Sequence, residues 1–524
     1  MFISNISSTN THWNSLNYSS VSIMASSFSY LTFFLLFALL SVSLACDHSE
    51  LPLKAASLGN WLLTEGWMNS TMFDGIPNND LLDGTIVQLK STKLQKYLSA
   101  EHGGGSIVVA NRTKADIWES FRLWRVNETF YNFRVFNKLF VGLENQGQGK
   151  GIVAVAKTPS SPETFEIIRK DGDPNRVRLR SPNGLFLQAK SETEVTADYE
   201  GLSWDDEDPS VFEMAISGGL QGEYQITNGY GPKAAQFMRN HWKTYITEDD
   251  FKFMSENGLT AVRIPVGWWI AHDPNPPKPF VGGSLEALDN AFKWAYKYRM
   301  KVIVDLHAPR VSQNGYAHSA TRDGIQEWGE SDIPETVSVI DFLASRYGTH
   351  PSLAAIELMN EPLAPGMTVE NLIKYYQAGY DAVRKYTNTA FVILSNRLGG
   401  DQKELLSFAD KLDRAVIDVH YYNLFSDWYK TLSVDQNIQF VYNQRAANLS
   451  AVTTPKGPLS FVGEWSADWE VKNATKRDLQ RFAEAQIQVY KHATFGWAYW
   501  SYKCDDDSKH WNLRWMIENG YMKL

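Results

Sequence analysis

The amino-acid sequence predicts an α/β fold, namely a (β/α)8 TIM barrel that an all-β trefoil domain interrupts after the first barrel strand. Three features predict this architecture. After residue 217, apolar strand-like runs alternate with helical segments, which is typical of parallel barrels. Residues 84–217 instead hold short alternating segments separated by Gly, Asn and Pro, which is typical of an all-β unit. One further strand-like run, residues 53–59, precedes that unit.

These changes of pattern divide the chain into four segments. We expect a signal or upstream segment at residues 1–45, the start of the barrel at 46–83, the trefoil insert at 84–217 and the rest of the barrel at 218–524. The eight barrel strands are expected at residues 53–59, 261–265, 301–307, 353–360, 390–395, 415–420, 459–464 and 496–500. A loop accepts a whole inserted domain when the ends of that domain lie close together.

The all-β stretch contains an internal repeat. Similar segments lie about 45 residues apart, and each is followed by a phenylalanine. The segments are residues 96–100, 139–143 and 185–189, and the phenylalanines are Phe121, Phe165 and Phe212. Three such repeats, each with several strands, predict a β-trefoil. The stretch resembles the fascin-like β-trefoil family.

The N-terminal segment predicts export. The first 45 residues contain no Asp, Glu, Lys or Arg, and residues 31–44 form an apolar run of about the length of a signal-peptide core. We expect a signal peptide that starts at Met24 and ends near Ala45, and a secreted, cell-wall glycoprotein with no membrane attachment after cleavage. An uncleaved anchor is the alternative. Downstream of this segment, five glycosylation sequons agree with secretion, at Asn69, Asn111, Asn127, Asn448 and Asn473.

The chain has only two cysteines, Cys46 and Cys504. The first precedes the first barrel strand and the second follows the last, so they belong to opposite faces of a parallel barrel. This placement argues against a disulfide bond between them, and the fold is not framed by disulfides.

Composition excludes some classes of function. The chain is 44% hydrophobic and 13% aromatic, which is enough for large cores. Its net charge of −9 argues against a general nucleic-acid partner. Eighteen tryptophans offer flat apolar faces on which sugar rings can stack, although core packing accounts for most aromatic residues.

Two glutamates carry the main functional signal. Glu361 and Glu464 each follow a hydrophobic run that resembles a buried strand, and catalysis in barrel enzymes takes place at the carboxyl ends of the strands. One isolated acid at a strand end is more often part of a structural ion pair. Two carboxylates that face each other across a sugar are what glycoside hydrolysis needs. Further polar or aromatic residues fall at strand ends on the same face: Arg263, His307, Asn360, His420, Tyr422 and Trp500.

Five short motifs carry a family resemblance. They are Asn360-Glu361-Pro362, Val462-Gly463-Glu464-Trp465, Asp418-Val419-His420-Tyr421-Tyr422, Val262-Arg263-Ile264-Pro265 and Asp305-Leu306-His307. With them the chain resembles glycoside hydrolase family five of clan A, and within it the branch of exo-β-1,3-glucanases and plant β-glucosidases. The resemblance covers nearly all of residues 50–524, and the plant branch carries a fascin-like insert in this place.

The resemblance implies roles for the site residues. Glu361 is expected to be the general acid/base and Glu464 the nucleophile of a retaining mechanism. Arg263 and Tyr422 are expected to favour the ionised form of Glu464, whereas burial and the charge of Glu464 should raise the proton affinity of Glu361. The expected substrate-binding residues are Glu65, Arg263, His307, Asn360, His420, Tyr422 and Trp500.

No cofactor and no metal site is expected. His307, His318 and His420 lack the spacing of metal ligands, and no paired-cysteine motif occurs.

The chain departs from the family pattern at two places. Asn60 stands where the family has glycine, and asparagine tolerates a positive φ better than most residues. The loop that begins at Ala308 is one residue shorter than usual and has Arg310-Val311 where the family has a small pair. The second change predicts altered geometry on the leaving-group side of the site.

We therefore expect a secreted, retaining β-glucosidase that is a monomer and acts on a β-glucan or β-glucoside. It would be exo-acting, on β-1,3-glucan ends or on glucosides with a bulky aglycone. Within the same family, an endo-acting glucanase or mannanase and a transglucosidase are alternatives. Outside enzymes, the alternative is a carbohydrate-binding or actin-bundling protein that acts through the trefoil.

Overall fold

The structure is a computed structural model that describes residues 51–505 and 509–524. The predicted signal segment and Cys46 lie outside the described residues. The first barrel strand is β1 (Leu53–Ser57). After it the chain turns at Asn60, whose φ of +57° is the left-handed conformation that the sequence predicts for this position.

The next part of the described chain is an all-β domain of twelve strands. They are β2 (Ile86–Ser91), β3 (Tyr97–Ala100), β4 (Val108–Arg112), β5 (Phe121–Arg125), β6 (Phe130–Arg134), β7 (Phe140–Leu143), β8 (Ile152–Ala156), β9 (Phe165–Lys170), β10 (Asp173–Arg180), β11 (Phe186–Ser191), β12 (Glu194–Tyr199) and β13 (Phe212–Gly218). We call this unit the β domain.

The strand pairing of the β domain repeats three times. The first and fourth strands of each repeat pair, as β2–β5, β6–β9 and β10–β13, and the middle two form the hairpins β3–β4, β7–β8 and β11–β12. Neighbouring repeats join through β5–β6, β9–β10 and β13–β2, which closes a ring of six strands. This threefold pairing supports the prediction of a β-trefoil.

The repeated phenylalanines fill the core of the β domain. Phe121, Phe165 and Phe212 are buried on three equivalent strands, and Phe133 packs edge-on against the first two. Burying one such side chain stabilises the fold by about 1.5–3 kcal/mol. The sequence repeat is therefore a repeat of core positions.

The second barrel strand follows the β domain. The remaining strands are β14 (Ala261–Gly267), β15 (Lys301–Ala308), β16 (Leu353–Glu357), β17 (Phe391–Ser395), β18 (Ala415–Tyr421), β19 (Leu459–Trp465) and β20 (Gly496–Tyr499). With β1 they form a closed, parallel, eight-stranded barrel within the described residues, and β1 pairs with both β14 and β20. The predicted barrel and its interruption after the first strand are confirmed.

Helices cover the barrel strands. They are α1 (Glu223–Tyr230), α2 (Ala234–Thr244), α3 (Glu248–Glu256), α4 (Ser284–Lys297), α5 (Ile333–Tyr347), α6 (Val369–Arg384), α7 (Leu406–Ala409), α8 (Asp427–Thr431), α9 (Val434–Phe440), α10 (Ala446–Val452), α11 (Lys476–Tyr490) and α12 (Leu513–Glu518). A π-helical turn, Val441–Arg445, joins α9 to α10. Within the described part of the chain, no helix combines the length and the apolar composition needed to cross a membrane.

The start of α3 is fixed by a capping box. Thr247 is its N-cap, and the Thr247 amide donates to Asp250 Oδ2 at 2.8 Å. Such caps satisfy amides that would otherwise lack partners. Gly258, with a φ of +88°, follows the end of this helix.

The fourth barrel strand is shorter than predicted. It ends at Glu357, whereas residues 353–360 were expected to be extended. Asn360 still donates its amide to Leu306 of β15 at 3.1 Å, but Glu361 has a φ of +46° and leaves the strand direction. Asn360 and Glu361 therefore belong to the loop above the strand.

Candidate active site

The barrel interior changes from apolar to charged along the strands. Small and branched apolar side chains, among them Ala261, Ile303, Ala355 and Val416, fill its lower part. Two residues further along the same strands, the interior carries Arg263, Asp305, Glu357 and Asp418, each with no exposed surface. Because alternate residues of a strand face the same side, this layer is a direct result of sequence alternation.

Arg263 lies at the centre of the charged layer. Its guanidinium donates to both oxygens of Glu357, from Nε at 2.7 Å and from Nη2 at 3.0 Å. Nη1 donates to Glu464 Oε1 at 2.9 Å, and Nη2 donates to Asn360 Oδ1 at 2.8 Å. A rigid fork of donors suits such contacts better than a lysine would. Arg263 therefore fixes Glu464 from below.

Glu464 lies near the end of β19 with two donors on its carboxylate. Besides the contact with Arg263, its Oε2 accepts a hydrogen bond from the Tyr422 hydroxyl at 2.9 Å. Gly463 is required before it, because a Cβ atom there would lie 2.2 Å from Asp418 Oδ1. The Gly463 amide donates to that same oxygen at 2.8 Å. The glycine of the Val-Gly-Glu-Trp motif thus lets a buried carboxylate approach the backbone.

Glu361 is held at both its backbone and its side chain. Its left-handed conformation is uncommon for a residue other than glycine. Its carbonyl oxygen accepts a hydrogen bond from Asn314 Nδ2 at 3.1 Å. Oε1 lies 2.8 Å from His420 Nδ1, and Oε2 lies 3.3 Å from His318 Nε2.

The two glutamates are close together. A carboxylate oxygen of Glu361 and one of Glu464 lie within 4.8 Å of each other. Carboxyl groups about 5–5.5 Å apart are typical of glycosidases that retain the anomeric configuration, whereas inverting enzymes need roughly 6.5–9.5 Å. The two carboxyl groups thus have oxygens closer together than the spacing typical of inverting enzymes.

His420 connects the two glutamates and carries a positive charge. Its Nδ1 faces Glu361 and lies 3.5 Å from Glu464 Oε2, while Nε2 lies 3.0 Å from Asp418 Oδ2. Burial by itself lowers the pKa of His420, but the negative charges of Glu464 and Asp418 and the hydrogen bonds to carboxylates raise it well above its usual range. The imidazolium is thus a second cation next to Glu464, besides Arg263.

The order of the two glutamate pKa values reverses the expectation from the sequence. Burial raises the pKa of Glu464 to about 7, although His420 and Arg263 oppose the shift. Burial acts in the same direction on Glu361, but the hydrogen bond and charge of His420, helped by His318, lower its pKa to about 2. The expected higher proton affinity of Glu361 is wrong for this structure, because the imidazolium lies closer to Glu361 than to Glu464.

His307 and Trp500 form one wall of the site. Their rings stack with centroids 5.4 Å apart and planes inclined by 14°. His307 Nδ1 donates to Asp305 Oδ2 at 2.6 Å, and burial lowers the pKa of His307 well below its usual range, so this imidazole is neutral. Gly59 leaves room for the wall, since a Cβ atom there would lie 2.9 Å from the Trp500 ring.

Glu65 contributes a third carboxyl group to the site. Its Oε2 accepts a hydrogen bond from the Trp67 indole at 2.8 Å, and Oε1 has no hydrogen-bond partner among the described residues. Burial raises the pKa of Glu65 to about 8, with a smaller contribution from the charges of Glu464 and Glu361. The predicted Asn60 turn positions it, because the Glu65 amide donates to Asn60 Oδ1 at 2.8 Å.

These groups open into one cavity of about 860 Å³. Its lining residues are Glu65, Trp67, His307, Tyr316, His318, Glu361, Leu398, His420, Tyr422, Leu424, Phe425, Arg445, Glu464, Asp468, Glu470, Trp500 and Trp511. A concave site with aromatic walls and a few convergent polar groups is the usual form of a small-molecule site.

The structure brings seven of the nine predicted site residues to the cavity surface. Arg263 and Asn360 are the exceptions, since both are 0% exposed and neither is among the described residues that line the cavity. Arg263 supports the carboxylates from below, and Asn360 lies between Arg263 and His307. A contact of Asn360 with substrate stays a prediction.

Several site residues were missed by the sequence analysis. Trp67, Tyr316, Phe425 and Trp511 form an aromatic rim on loops and short 3-10 turns, where no periodic pattern marks a side chain as facing the site. The sequence relates His318 only to a possible metal site. A histidine three residues after the Gln-Asn-Gly turn gives no signal of its own.

The donor chemistry fits ion pairs better than a metal ion. Among the described residues, two sets of ligand atoms are close enough to consider, one from Glu361, His420 and Glu464 and one from Glu357, Asp418 and His420. His420 belongs to both sets, and its raised pKa keeps both ring nitrogens protonated, so neither offers a lone pair.

Fold and site together define a (β/α)8 glycoside hydrolase. Residues 227–506 match the model of the family described as "Cellulase (glycosyl hydrolase family 5)", which is more than half of the chain. The chain belongs to glycosyl hydrolase family 5. Residues 78–217, which include all but the last residue of the β domain, match a domain of unknown function (DUF7910).

Similar curated proteins come from fungi. The chain is 31% identical over 335 residues to "Glucan 1,3-beta-glucosidase" of Schwanniomyces occidentalis, covering 57% of this chain and 78% of that protein. It is 31% identical over 354 residues to a protein of the same name from Yarrowia lipolytica, covering 60% of this chain and 83% of the other. Among solved structures, rutinosidase from Aspergillus niger covers 58% of this chain and 90% of its own, with a TM-score of 0.51 and 20% identity. That last likeness concerns the fold alone.

Proposed function

We propose that this protein is a retaining, exo-acting β-glucosidase that hydrolyses β-1,3-glucan ends or β-glucosides through a glycosyl-enzyme intermediate. The observation that carries the proposal is the pair Glu361 and Glu464, whose oxygens lie within 4.8 Å. The similar fungal proteins that bear the name glucan 1,3-beta-glucosidase support the choice of substrate.

Glu464 is the proposed nucleophile. Arg263 Nη1 and the Tyr422 hydroxyl hold its two oxygens at 2.9 Å each, which orients the carboxylate and favours its ionised form. An attack on the anomeric carbon forms the bond from Glu464 to the sugar and breaks the bond to the leaving group. The charge of the carboxylate is then lost, and Glu361 no longer faces a negative neighbour.

Glu361 is the proposed acid/base, and His420 supplies its proton. The hydrogen bond between Nδ1 and Glu361 Oε1 is 2.8 Å long, so a proton can move from the imidazolium to the carboxylate without a change in the net charge of the site. Glu361 then passes this proton to the leaving oxygen. In the second step Glu361 takes a proton from water, which attacks the intermediate, and the proton returns to His420.

Glu65 supports exo action. Glu65 lines the cavity together with Trp67 and Trp500, and its buried Oε1 has no hydrogen-bond partner among the described residues. A buried carboxyl group with a free oxygen can bind the outer hydroxyls of a terminal glucose. Such a contact is incompatible with a chain that continues past that glucose.

Transglucosidation is a second proposal, which the rim of the cavity supports. Tyr316 is 47% exposed and Phe425 is 79% exposed, and both line the cavity. Large exposed aromatic faces at a site entrance can bind an aglycone or an acceptor sugar. An acceptor bound there would compete with water for the glycosyl-enzyme.

We further propose secretion to the extracellular space or cell wall, a fascin-like trefoil identity for the β domain and a monomeric state. The sequons support secretion, because Asn127 and Asn473 are exposed and Asn69, Asn111 and Asn448 are partly exposed. A plant source is part of the same prediction.

Trapping of the intermediate tests the mechanism. A 2-deoxy-2-fluoro-β-glucoside with a good leaving group should inactivate the enzyme, and mass spectrometry should place the sugar on the peptide that contains Glu464. Glu464→Gln should take up no label. Labelling of another residue, or inversion of the anomeric configuration observed by NMR, would overturn the mechanism.

Product analysis tests the substrate and the mode of action. Laminari-oligosaccharides tagged at the reducing end should lose one glucose at a time from the other end. Shorter tagged fragments formed at once would instead show an endo-acting enzyme. Added acceptor sugars should lengthen the products if transglucosidation is substantial.

A further inference from the structure

The loop between β15 and α5 joins the active site to the β domain. Three of its residues other than glycine have left-handed backbone conformations: Val311 with a φ of +60°, Ser312 with +66° and Ala320 with +51°. Val311 is β-branched, for which this conformation is a clear outlier. Strained conformations persist only where surrounding contacts hold them. We call residues 309–328 the bridging loop.

One side of the bridging loop contacts Glu361. Asn314 Nδ2 donates to the Glu361 carbonyl oxygen at 3.1 Å and lies 2.9 Å from His318 Nε2. His318 Nε2 in turn lies 3.3 Å from Glu361 Oε2. The loop therefore supports the left-handed backbone of Glu361 and also one oxygen of its carboxyl group.

The other side of the bridging loop is held by the β domain. Asp323 Oδ2 accepts hydrogen bonds from Arg134 Nη1 at 2.6 Å and from the Trp124 indole at 2.7 Å, and Asp323 is only 3% exposed. Arg122 Nη1 donates to the Asp323 carbonyl oxygen at 3.0 Å. Arg134 Nη2 reaches a second loop residue, Glu327, at 2.9 Å. Arg134 thus spans two points of the loop.

Hydrogen bonds within the loop connect its two sides. The amides of Glu327 and Trp328 donate to the Ser312 carbonyl oxygen at 3.2 and 3.1 Å. Ser312 Oγ accepts from the Gly315 amide at 2.8 Å, directly after Asn314. A displacement of Glu327 is therefore transmitted to the strained Ser312 and on to Asn314.

We propose that the β domain positions the acid/base of the barrel: Arg134, through Asp323 and Glu327, holds the bridging loop so that Asn314 and His318 contact Glu361. Arg134 is a positioning residue, since it acts through the loop and touches no reacting atom. The inference rests on the proposed role of Glu361. It differs from a targeting role, in which the β domain would only bring polysaccharide to the barrel.

The test measures acid catalysis in the full-length enzyme. Aryl β-glucosides of decreasing leaving-group quality, from 2,4-dinitrophenyl to 4-methylphenyl, need increasing help from the acid. Arg134→Met should lower kcat/KM for the poor leaving group by roughly 10- to 100-fold, as small displacements of a general acid do, and change it little for the good one. His318→Ala should show the same pattern.

Arg178→Met is the matched control. Arg178 forms an equally buried ion pair with Asp208 at 2.9 Å, but both residues belong to the β domain and neither contacts the bridging loop. We expect this variant to lower Tm and to leave the dependence on leaving group as in the wild type. Arg134→Lys, which keeps one charge but loses the fork, should recover part of the loss.

Glu361→Gln separates the possible failures. If Glu361→Gln shows no dependence on leaving group, the proposed function fails. The positioning role of Arg134 is overturned by a different result. In that result kcat/KM of Glu361→Gln depends on the leaving group, whereas Arg134→Met behaves like Arg178→Met. If Arg134→Met does not fold, Glu327→Gln decides in its place, because Glu327 is partly exposed and its loss removes one of the two loop contacts.

Discussion

Replacing Tyr422 by phenylalanine should shift the pH dependence of the enzyme. The change removes one hydroxyl group, which donates to Glu464 Oε2 at 2.9 Å, and leaves the ring and its packing against Trp511 in place. The hydrogen bond favours the ionised carboxylate, so its loss must raise the pKa of Glu464 above its present value of about 7.

The size of the shift follows from the contact. A hydrogen bond to a charged group contributes about 1.5–3 kcal/mol, and one pKa unit corresponds to about 1.4 kcal/mol. Arg263 still holds the other oxygen, so we take the lower end of the range and expect a shift of about one unit. The acidic limb of kcat/KM, which requires ionised Glu464, should move to higher pH by that amount.

The assay is a pH profile of kcat/KM with 2,4-dinitrophenyl β-glucoside, whose departure needs little acid help. At a pH one unit below the acidic limb the variant should be about tenfold slower than the wild type, relative to its own plateau. Tyr421→Phe is the control, because among the described residues its hydroxyl donates one long hydrogen bond, to Gln402 at 3.4 Å, and none to Glu464. A folded Tyr422→Phe enzyme with an unmoved acidic limb would refute the role given to this hydrogen bond.

Three further predictions concern the packing around Gly463 and the stability of the fold. Gly463→Ala should abolish activity and lower Tm, since the new Cβ would meet Asp418 Oδ1 at 2.2 Å, whereas Gly329→Ala, with nothing within 4 Å, should change neither. Arg263→Met should lower the free energy of unfolding, measured with urea, by roughly 3–5 kcal/mol, because it leaves buried carboxylates without their cation. Loss of the exposed ion pair between Arg346 and Asp289 should lower it by less than about 1 kcal/mol. Glu65 has a folded-state pKa raised to about 8, so its neutral form stabilises the fold at low pH and this advantage is lost as pH rises through 8. Glu65→Gln should therefore raise Tm at pH 9 but not at pH 4; an equal change at both would contradict the shift.

Much of the barrel could be predicted because its signals are local. Each buried strand is a continuous apolar run, and the Thr247 cap and the Asn60 turn depend on residues within a few positions of each other. The repeat of the β domain was visible for the same reason, since core phenylalanines recur at a fixed interval. The sequence of α1 gives only a weak helical pattern, because its buried positions are mostly polar.

Which of the two glutamates has the higher pKa could not be predicted in the same way. Two glutamates could be placed on one face from strand ends alone, but their pKa values depend on distances to His420 that differ by less than 1 Å. The paths of the loops determine where the rim residues Tyr316 and Phe425 lie. They also determine whether His318 contacts Glu361. Those paths are set by tertiary contacts, including contacts with the β domain.

The pairing of β13 with β2 has a consequence for the order of folding. Strand β1 must find β14 about 200 residues along the chain, and closing so long a loop is entropically costly. Once the β domain has folded, its ends are joined at Val87 and Ile216, and the effective loop shrinks to about 70 residues, which lowers the closure cost by about 1 kcal/mol. The insert therefore favours a sequence of events in which the β domain folds first. The barrel closes afterwards, and β20, the last strand to be synthesised, completes the ring against β1.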